Sequence, residues 1–481
     1  MFIKQITNKL DEILTELMTN EPIPGLAIAV VQGNQKTYMN GFGVMNMEMN
    51  EAVTKDTLFH TASISKTFVA LAIMQLVEKG DLNLHEPIIS YLPYFCLADK
   101  RYRFITTRDL LSHSSGIPNE YEFNWENPEY DELAIERYVK SKKNEKLNFT
   151  PSEKFEYSNT AFEILGDIIQ KVSGQPFEKY VEERILKPLR MNESSFLKAA
   201  LNSSKIATPH ILSMDSTYGP KVSSVFPYNR RHAASSTLCT SLVEMTNYAI
   251  MLHNNGLFQK QSLISGDYFV KMFDPIQKAS WGEEMDEVGL AWFMGKYKGR
   301  KMYSHSGLDT GFRSNLIVLP KEKISIILFT NNDYSGTAII WKAVLDVILG
   351  EKVERVKRSL ARFLAKSLIE SGENLTFEKF EQIKGGEIEA SFNVLEAELN
   401  YVAYELFEDK KIDEGIALLK MAVELFLEST NLHDSLGEMY QAKGDRVEAT
   451  RYFKKAIELD PTNDEAIEHL RALVEEELRE G

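Results

Sequence analysis

The strongest constraint on the fold is a helix that has almost no polar face. Residues 65–80 read "SKTFVALAIMQLVEKG", and apolar side chains cover most of the predicted circumference. They are Phe68, Val69, Leu71, Ile73, Met74, Leu76 and Val77. A helix that is apolar nearly all round is buried inside a domain. With 43% hydrophobic residues the chain can form such a core, and Gly80 is placed to end the helix.

Strand patterns lie on both sides of this helix in the sequence. Near the N-terminus, "GLAIAVVQGNQKTYMNGFG" contains two β-rich runs that flank Gly33-Asn34 and predict a hairpin. Far downstream, "KMYSHSG", "SNLIVLP" and "ISIILFTNN" predict three more strands. Helical patterns dominate between the two groups. We therefore expect an α+β domain over residues 1–350, in which an antiparallel sheet is flanked by helices and interrupted by a helical insertion.

The remainder of the chain has a different composition. The net charge of −15 is concentrated in residues 351–481. Residues 351–390 predict a helical connector, and residues 391–481 predict an all-α domain of tetratricopeptide-like repeats with a capping helix. The marks of the clearer repeat are Leu436, Gly437, Tyr440, Ala449, Phe453, Ala456 and Pro461. Two clear repeats are fewer than the roughly three needed for independent stability, so we expect the tail to rest on the connector, on the first domain or on a second copy.

Composition also argues against several classes of partner. A nearly neutral first domain with an acidic tail disfavours nucleic acid and anionic membranes. The two cysteines, Cys96 and Cys239, allow one disulfide but no cysteine metal cluster. The first 20 residues are charged throughout and predict an amphipathic helix rather than a secretory signal, and no run of about 18 apolar residues occurs. We expect a cytoplasmic protein without a metal or another cofactor.

The start of the apolar helix also carries a possible catalytic pair. Ser63 and Lys66 are three residues apart and share one helix face. Unpaired N–H groups at a helix N-terminus favour the negative charge that develops in acyl transfer, and a desolvated lysine can help to deprotonate a serine. The alternative is an N-cap serine followed by a surface lysine. Ser-x-x-Lys also occurs by chance, as Ser195 to Lys198 shows.

Two further patterns follow in the order that a catalytic site would need. Tyr157 and Asn159 precede a helical segment; a tyrosine near a lysine can transfer protons, and an asparagine can bind a carbonyl. The same spacing recurs at Tyr38 and Asn40, on a predicted strand. His305 lies on a later strand, before Gly307, and a glycine there lets a substrate backbone approach the strand edge.

Together these segments resemble the serine β-lactamase and penicillin-binding-protein superfamily. The resemblance rests on the order Ser-x-x-Lys, Tyr-x-Asn, His-x-Gly. The surrounding stretches "FHTASISKTFVALAIMQLVEKGDLNLHEPIISYLP", "ITTRDLLSHSSGIP", "PSEKFEYSNTAFEILGDIIQKVSG" and "HSGLDTGFRSNLIVLP" agree with it. It extends over about residues 8–348 and is most similar to the class C β-lactamase-like hydrolases, which include esterases and D-amino-acid peptidases. It implies the β-lactamase/transpeptidase-like fold.

The resemblance implies a catalytic set of Ser63, Lys66, Tyr157 and His305. Ser63 would be acylated, and Lys66 would share in its deprotonation and hold Tyr157 toward the phenolate form. Tyr157 would be the general base for acylation and the acid for the leaving group. His305 stands where many β-lactamases and penicillin-binding proteins have lysine, a departure from the family pattern that argues against penicillin-type recognition.

The resemblance also implies a set of substrate-binding groups. Asn159 would orient the substrate carbonyl, and the backbone N–H groups of Ser63 and Leu308 would form the oxyanion hole. Gly307 belongs to the same strand, and Arg313 is placed near the end of the site that binds carboxylates. His113, in "LSHSSG", is interpreted as structural.

These expectations favour an enzyme that cleaves a small ester or an amide, such as a D-amino-acid peptide. A neutral imidazole at position 305 binds a carboxylate less well than an ammonium does, so β-lactam hydrolysis would be weak. The alternative is a scaffold or sensor that binds a protein partner, or itself, through residues 391–481. Substrate choice would depend on loops 119–147 and 208–236, where Tyr121, Phe123 and Trp125 line a pocket or, more simply, pack the loop.

Overall fold

A computed structural model defines the fold. It describes residues 2–21, 23–215, 217–279, 284–334, 336–353, 357–386 and 388–480. The chain divides into two compact units. The first consists of Met1–Thr15, Ile23–Ile211 and Lys221–Val353, and the second of Glu16–Pro22, Leu212–Pro220 and Glu354–Gly481.

The first unit is built on an antiparallel sheet of nine strands. In chain order these are β1 (Gly25–Gln32), β2 (Gln35–Asn46), β3 (Glu51–Ala52), β4 (Gln277–Lys278), β5 (Met285–Val288), β6 (Phe293–Tyr297), β7 (Arg300–Asp309), β8 (Phe312–Leu319) and β9 (Ile324–Thr330). Their order across the sheet is β4-β5-β6-β7-β8-β9-β1-β2-β3. The N-terminal hairpin therefore completes a sheet whose other strands come from far along the chain, as the strand patterns predicted.

The registers of the central strands explain two of the sequence patterns. β1 and β2 pair from Gly25 with Gly43 to Gln32 with Gln35, and Gly33 forms the turn with a φ of 57°, a region that glycine tolerates. β1 also pairs with β9 through seven residues on each strand. β1 is thus a central strand, helix α8 (Leu242–His253) packs against it, and its residues are buried from Gly25 to Val31.

Helices accompany this sheet, most of them inserted between β3 and β4. They are α1 (Phe2–Asn20), α2 (Ser65–Lys79), α3 (Thr107–Leu111), α4 (Ala134–Ser141), α5 (Asn159–Ser173), α6 (Phe177–Val181), α7 (Ala233–Ser236), α8 (Leu242–His253), α9 (Gly266–Val270) and α10 (Thr337–Leu349). Short two-stranded pairs join Phe59–His60 to Cys239–Thr240, His210–Ser213 to Gly219–Val222, and Leu257–Phe258 to Gln261–Ser262. This is the α+β architecture expected from the sequence.

The apolar helix is the centre of this unit. Every residue of α2 from Ser65 to Leu76 is buried, and α2 packs against α5, α6, α7 and α9. Gly80 ends the helix with a φ of 80°, and its N–H bonds the carbonyls of Leu76 and Val77. The sequence pattern predicted both the burial and the end of this helix.

The second unit is mainly helical, and its segment from Glu354 onward contains a two-residue parallel pair between Arg358–Ser359 and Phe392–Asn393. Its helices are α11 (Leu360–Ser371), α12 (Glu373–Lys384), α13 (Ile388–Ser391), α14 (Glu396–Glu408), α15 (Ile412–Leu425), α16 (Thr430–Lys443), α17 (Arg446–Leu459) and α18 (Asp464–Glu480). α11 packs against α14 and α15, so these helices share one apolar core.

Two further sequence expectations concern the whole chain. Within the part that the structure describes, no helix combines the length and apolar character needed to cross a bilayer. Cys96 and Cys239 are free thiols, the first exposed and the second buried, so the disulfide that the composition allowed does not form.

Candidate active site

Ser63 lies in the turn that leads into α2. Residues Ala62–Ile64 form a single 3₁₀ turn directly before the helix, and Ala62 has a φ of 46°, a left-handed conformation that costs a non-glycine residue energy. Ala62 and Ile64 are buried, whereas Ser63 is half-buried. The strained turn therefore presents the hydroxyl of Ser63 at the N-terminal end of an interior helix.

Lys66 contacts this hydroxyl from one turn further along. Its Nζ is 2.8 Å from Ser63 Oγ, and it also donates to Asn159 Oδ1 at 2.7 Å and to the carbonyl of Ser235 at 2.8 Å. The side chain is fully buried. Burial lowers the pKa of Lys66 to about 7, while the charges of Glu163 and Asp309 act in the opposite direction. At neutral pH a substantial fraction of Lys66 is thus an uncharged amine that can accept a proton.

Tyr157 approaches the same oxygen from the other side. Its hydroxyl is 3.0 Å from Ser63 Oγ. Burial raises the pKa of Tyr157, and the hydrogen bond with Ser63 only partly offsets this. The free site therefore favours a phenol beside a neutral amine, rather than the phenolate that the resemblance implied, because separating the two charges inside the protein is costly.

Asn159 connects the catalytic groups to a residue that sequence reasoning missed. Its Oδ1 is the acceptor for Lys66, and its Nδ2 donates to Asn119 Oδ1 at 3.0 Å. Asn119 also accepts from the backbone N–H of Asn159 at 2.8 Å. Asn159 is thereby fixed by two contacts to one partner. No sequence pattern indicated Asn119, which precedes Asn159 by 40 positions.

His305 lies on β7 and is fully buried beside Phe293, with ring centroids 5.5 Å apart. Its Nδ1 is 2.7 Å from the carbonyl of Ser306, so the proton is on Nδ1 and Nε2 is an acceptor. Nε2 has no hydrogen-bond partner among the described residues. Burial and the charge of Lys66 lower the pKa of His305 to about 3, so this imidazole is neutral.

Gly307 brings β7 against the turn Ala62–Ile64, which carries Ser63, the candidate nucleophile, and is called the nucleophile turn below. A Cβ at this position would lie 2.3 Å from the carbonyl oxygen of Thr61 and 2.4 Å from Ser314 Oγ. Glycine was expected at this point to admit a substrate backbone; the structure shows that it admits the backbone before Ser63. The close approach places the next residue, Leu308, beside the nucleophile turn.

Arg313 is not brought to Ser63. On β8 it pairs with Leu308, while the neighbouring Ser314 pairs with Gly307 and bonds the carbonyl of Thr61. Because side chains alternate along a strand, the side chains of Arg313 and Leu308 point to the sheet face away from Ser63. Only the backbone of Leu308 lies beside the nucleophile turn. Arg313 Nε bonds the backbone carbonyl of Asp333. The carboxylate-binding role implied by the resemblance has no support from this position.

His113 is closer to the catalytic groups than sequence reasoning placed it. Its ring stacks on Tyr157 with centroids 4.3 Å apart and an interplanar angle of 23°. Its Nδ1 accepts from the backbone N–H of Ser158 at 3.1 Å, and its carbonyl accepts from Glu156. Burial lowers the pKa of His113 well below its usual value. The side chain thus supports Tyr157, although only spatial proximity reveals it.

Asp309 was also missed. It lies four residues after His305 on β7; its carboxylate is 2.7 Å from His60 Nε2 and accepts from Ser236 Oγ. It acts on the site through its charge, which raises the pKa of Lys66. No sequence pattern indicated Asp309 beyond its place in "SGLDTG".

The competing patterns have separate structural explanations. Lys198 lies over the ring of Phe226, and Tyr38, on β2, bonds Asp11. Neither contact belongs to the cluster around Ser63. Of the aromatic loop residues, Tyr121 is exposed, and Phe123 stacks on Trp125 with centroids 4.7 Å apart.

One group of possible metal ligands occurs among the described residues, outside this site. Asp434 and Glu438 on α16 face His469 on α18, although the sequence spacing had predicted no such cluster. His469 Nδ1 is 3.1 Å from Asp434 and its Nε2 is 3.6 Å from Glu438. Both ring nitrogens therefore face carboxylates, and the arrangement is that of an ion-pair cluster.

Comparison with known proteins places this geometry in a family. The model of the β-lactamase family matches residues 10–349. Protein flp of Staphylococcus aureus is 27% identical over 336 residues, which cover 67% of this chain and 62% of flp. The chain thus spans less than two thirds of that relative. Penicillin-binding protein 4* of Bacillus subtilis is 28% identical over 355 residues, covering 69% of this chain and 74% of the relative.

Solved structures agree with the sequence comparison. The octameric penicillin-binding protein homologue from Pyrococcus abyssi superposes with a TM-score of 0.64 and 28% identity, over 75% of this chain and 81% of that chain. The D-amino acid amidase of Ochrobactrum anthropi SV3 shares the fold with a TM-score of 0.61 and 20% identity, over 73% and 99% of the two chains. With the nine-stranded sheet and a family match over most of the chain, this protein belongs to the β-lactamase family.

Proposed function

We propose that this protein is a serine hydrolase that forms an acyl-enzyme on Ser63 and cleaves a small ester or an amide. One observation carries the proposal: Ser63 Oγ lies 2.8 Å from Lys66 Nζ and 3.0 Å from Tyr157 OH. These distances allow proton transfer from the nucleophile and toward a leaving group.

The directions of the two pKa shifts suggest how the protons move. In acylation, neutral Lys66 takes the proton of Ser63, the serine oxygen attacks the carbonyl, and Tyr157 gives its proton to the departing alcohol or amine. The acyl-enzyme then holds an ammonium next to a phenolate. In deacylation Tyr157 takes a proton from the attacking water, and Lys66 returns one to Ser63 Oγ. Each cycle restores both groups.

The oxyanion hole of the proposal consists of the backbone N–H groups of Ser63 and Leu308. Gly307 supports this assignment, because its missing side chain lets β7 approach the turn that carries Ser63. The N-terminal end of α2 adds a favourable dipole at the same point. Asn159 would bind the substrate carbonyl through its amide nitrogen.

The neutral His305 bears on the substrate. Its ring contributes no positive charge, so the site suits an uncharged ester, an amide or a D-amino-acid peptide better than a free carboxylate. β6 pairs with β7 only as far as Ser304, which leaves the strand edge beyond His305 available to an extended substrate. The D-amino acid amidase fits this class. We include weak β-lactam hydrolysis, a class C-like affiliation and a cytoplasmic location in the proposal.

The test is substitution of the nucleophile. Ser63→Ala should abolish hydrolysis of p-nitrophenyl acetate and labelling by a fluorophosphonate probe. Ser195→Ala is the matched control, since it changes the other Ser-x-x-Lys serine and should leave both unchanged. Full activity of Ser63→Ala would remove Ser63 from the reaction. Acyl esters of varied chain length, D- and L-amino-acid amides and nitrocefin would then rank the substrate classes.

The helical tail supports a second role alongside catalysis. We propose hydrolase residues 1–350, a connector 351–390 and tetratricopeptide-like repeats 391–481. The support is the spacing of the helices, because α14 and α16 begin at Glu396 and Thr430, and α15 and α17 at Ile412 and Arg446, 34 positions apart in both cases. Such repeats usually present a surface to a protein or to a second copy. Sedimentation of the intact chain over a concentration series tests self-association, and a monomer at all concentrations would contradict it.

A further inference from the structure

A buried carboxylate without a hydrogen bond lies close to the catalytic lysine. Glu163 is on α5, its side chain is fully buried, and neither of its oxygens has a hydrogen-bond partner among the described residues. The nearest ionisable group is His232, also fully buried, with its Nδ1 at 3.4 Å from Glu163 Oε1. An isolated carboxylate in such surroundings is costly, so this pair needs an explanation.

The neighbours of His232 fix the direction of its proton. Arg231 Nε donates to His232 Nε2 at 3.0 Å. Nε2 is therefore the acceptor nitrogen, and Nδ1 carries the proton that faces Glu163. The rings of Phe123, Trp125 and Tyr138 stand edge-on around the imidazole, with centroids 4.9 to 5.7 Å away. This wall keeps the surroundings of the pair apolar and strengthens its electrostatic effects.

The pair adjoins Lys66 through two elements. Asn159, which accepts from Lys66, is one turn before Glu163 and on the same face of α5. Ser235, whose carbonyl accepts from Lys66, is one turn after His232. Glu163 is therefore close in the chain to Asn159, and His232 to Ser235, the two residues that accept hydrogen bonds from Lys66. The charge of Glu163 raises the pKa of Lys66, whereas burial lowers it.

Other charged and titratable groups also face this region. The groups that face Lys66 are Asp309 and His305 on β7, Tyr157 before α5 and His113 after α3. The groups that face Glu163 and His232 are Arg231, Tyr138 on α4 and Glu120. The pKa values of His113 and His305 are lowered and those of Tyr138 and Tyr157 raised, so these four stay neutral around pH 7. Glu120 is paired with Lys142 at 2.8 Å.

We propose that Glu163, a buried carboxyl group one helical turn from Asn159 and 3.4 Å from the imidazole of His232, is a positioning residue that stabilises the ammonium form of Lys66 during acylation. The inference rests on the proposed function, because it concerns the base of that reaction. When Lys66 takes the proton of Ser63, the ammonium forms in a buried site, and the carboxylate stabilises it. Without Glu163, Lys66 would remain neutral to lower pH and would be a weaker base.

The pH dependence of Ser63 labelling tests this directly. We would measure the second-order rate of fluorophosphonate labelling between pH 5 and 9 for the wild type and for Glu163→Gln, which keeps the side-chain shape. The wild-type rate should fall below pH 7, where Lys66 becomes protonated. In Glu163→Gln the midpoint should move to lower pH by about one unit, and the plateau rate should fall several-fold. Structural damage alone would lower the plateau without moving the midpoint.

Two further variants keep the test informative. Asp167→Asn is the matched control, since Asp167 is another fully buried carboxylate of α5 but bonds Tyr94; its midpoint should equal that of the wild type. His232→Phe keeps the ring contacts but removes the imidazole nitrogen that faces Glu163 at 3.4 Å, and the midpoint should again fall. Combining it with Glu163→Gln should add no further shift. Thermal unfolding shows whether each variant is folded. If Glu163→Gln does not fold, the labelling midpoint of His232→Phe provides the test.

The outcomes separate the two proposals. Suppose that the wild type is labelled at Ser63. An unshifted or raised midpoint in Glu163→Gln would then overturn the role of Glu163, and so would an equal shift in Asp167→Asn. Both results leave the hydrolase proposal intact. A wild type whose labelling does not depend on Ser63 would overturn the proposed function, and this inference with it.

Discussion

Gly307 allows the most direct quantitative prediction, because a single methyl group there meets rigid backbone. In Gly307→Ala the new Cβ would lie 2.3 Å from Thr61 O, 2.4 Å from Ser314 Oγ and 3.0 Å from Ala62 Cβ. Thr61 and Ala62 belong to the turn that carries Ser63, so side-chain rotation cannot relieve these contacts. Strand β7 and the nucleophile turn must therefore separate by about 1 Å, the scale at which a misplaced reacting group costs about 10²-fold in rate.

The assay compares Gly307→Ala with a matched variant. We expect kcat/KM for p-nitrophenyl acetate to fall about 10²-fold, mainly in kcat, and the free energy of unfolding to fall by about 1–3 kcal/mol from overpacking. Gly336→Ala is the control: Gly336 has a φ of −76°, and its nearest atom would be Ile339 Cδ1 at 3.6 Å. It should retain activity within twofold. Wild-type kinetics in Gly307→Ala would refute the close approach of β7 to the nucleophile turn.

Three other expectations follow from the same geometry. Tyr157→Phe should lower kcat about 10²-fold in steady-state ester hydrolysis while the melting temperature changes little, since its hydroxyl bonds Ser63; activity near wild type would contradict this. The wild-type rate should fall about tenfold per pH unit below pH 7, because Lys66 with a pKa of about 7 is protonated there; a flat profile from pH 5 to 8 would contradict a lysine base. Gly437→Ala would place a Cβ 2.5 Å from the Phe453 ring and should lower the helical content of the tail by circular dichroism while ester hydrolysis is unchanged.

Local sequence patterns were sufficient for much of the fold. The apolar run of α2, the Gly33 turn and the three strands near residue 320 are set by neighbouring residues, and each lies where the pattern predicted it. The resemblance placed Ser63, Lys66 and Tyr157 in one site, and the structure brings their polar atoms within hydrogen-bond distance. The sequence after residue 350 predicted helices, and the structure has helices there from α11 to α18.

The parts that escaped prediction depend on contacts between distant segments. Asn119, Asp309 and the pair Glu163 and His232 have no local signature, and each gains its role from a partner on another element. Arg313 was assigned from the family resemblance alone, whereas its position on β8 directs its side chain to the other face of the sheet. The protonation of Tyr157 depends on burial, which no motif states.

The central claim is that Ser63 is the residue acylated during turnover. The most direct measurement begins with reaction of the full-length protein with a fluorophosphonate. The labelled protein is then digested, and tandem mass spectrometry of the peptides locates the adduct. The account predicts one stoichiometric adduct on Ser63, absent from Ser63→Ala and strongly slowed in Lys66→Ala. An adduct on another residue, or ester hydrolysis by the wild type with no adduct at Ser63, would contradict it.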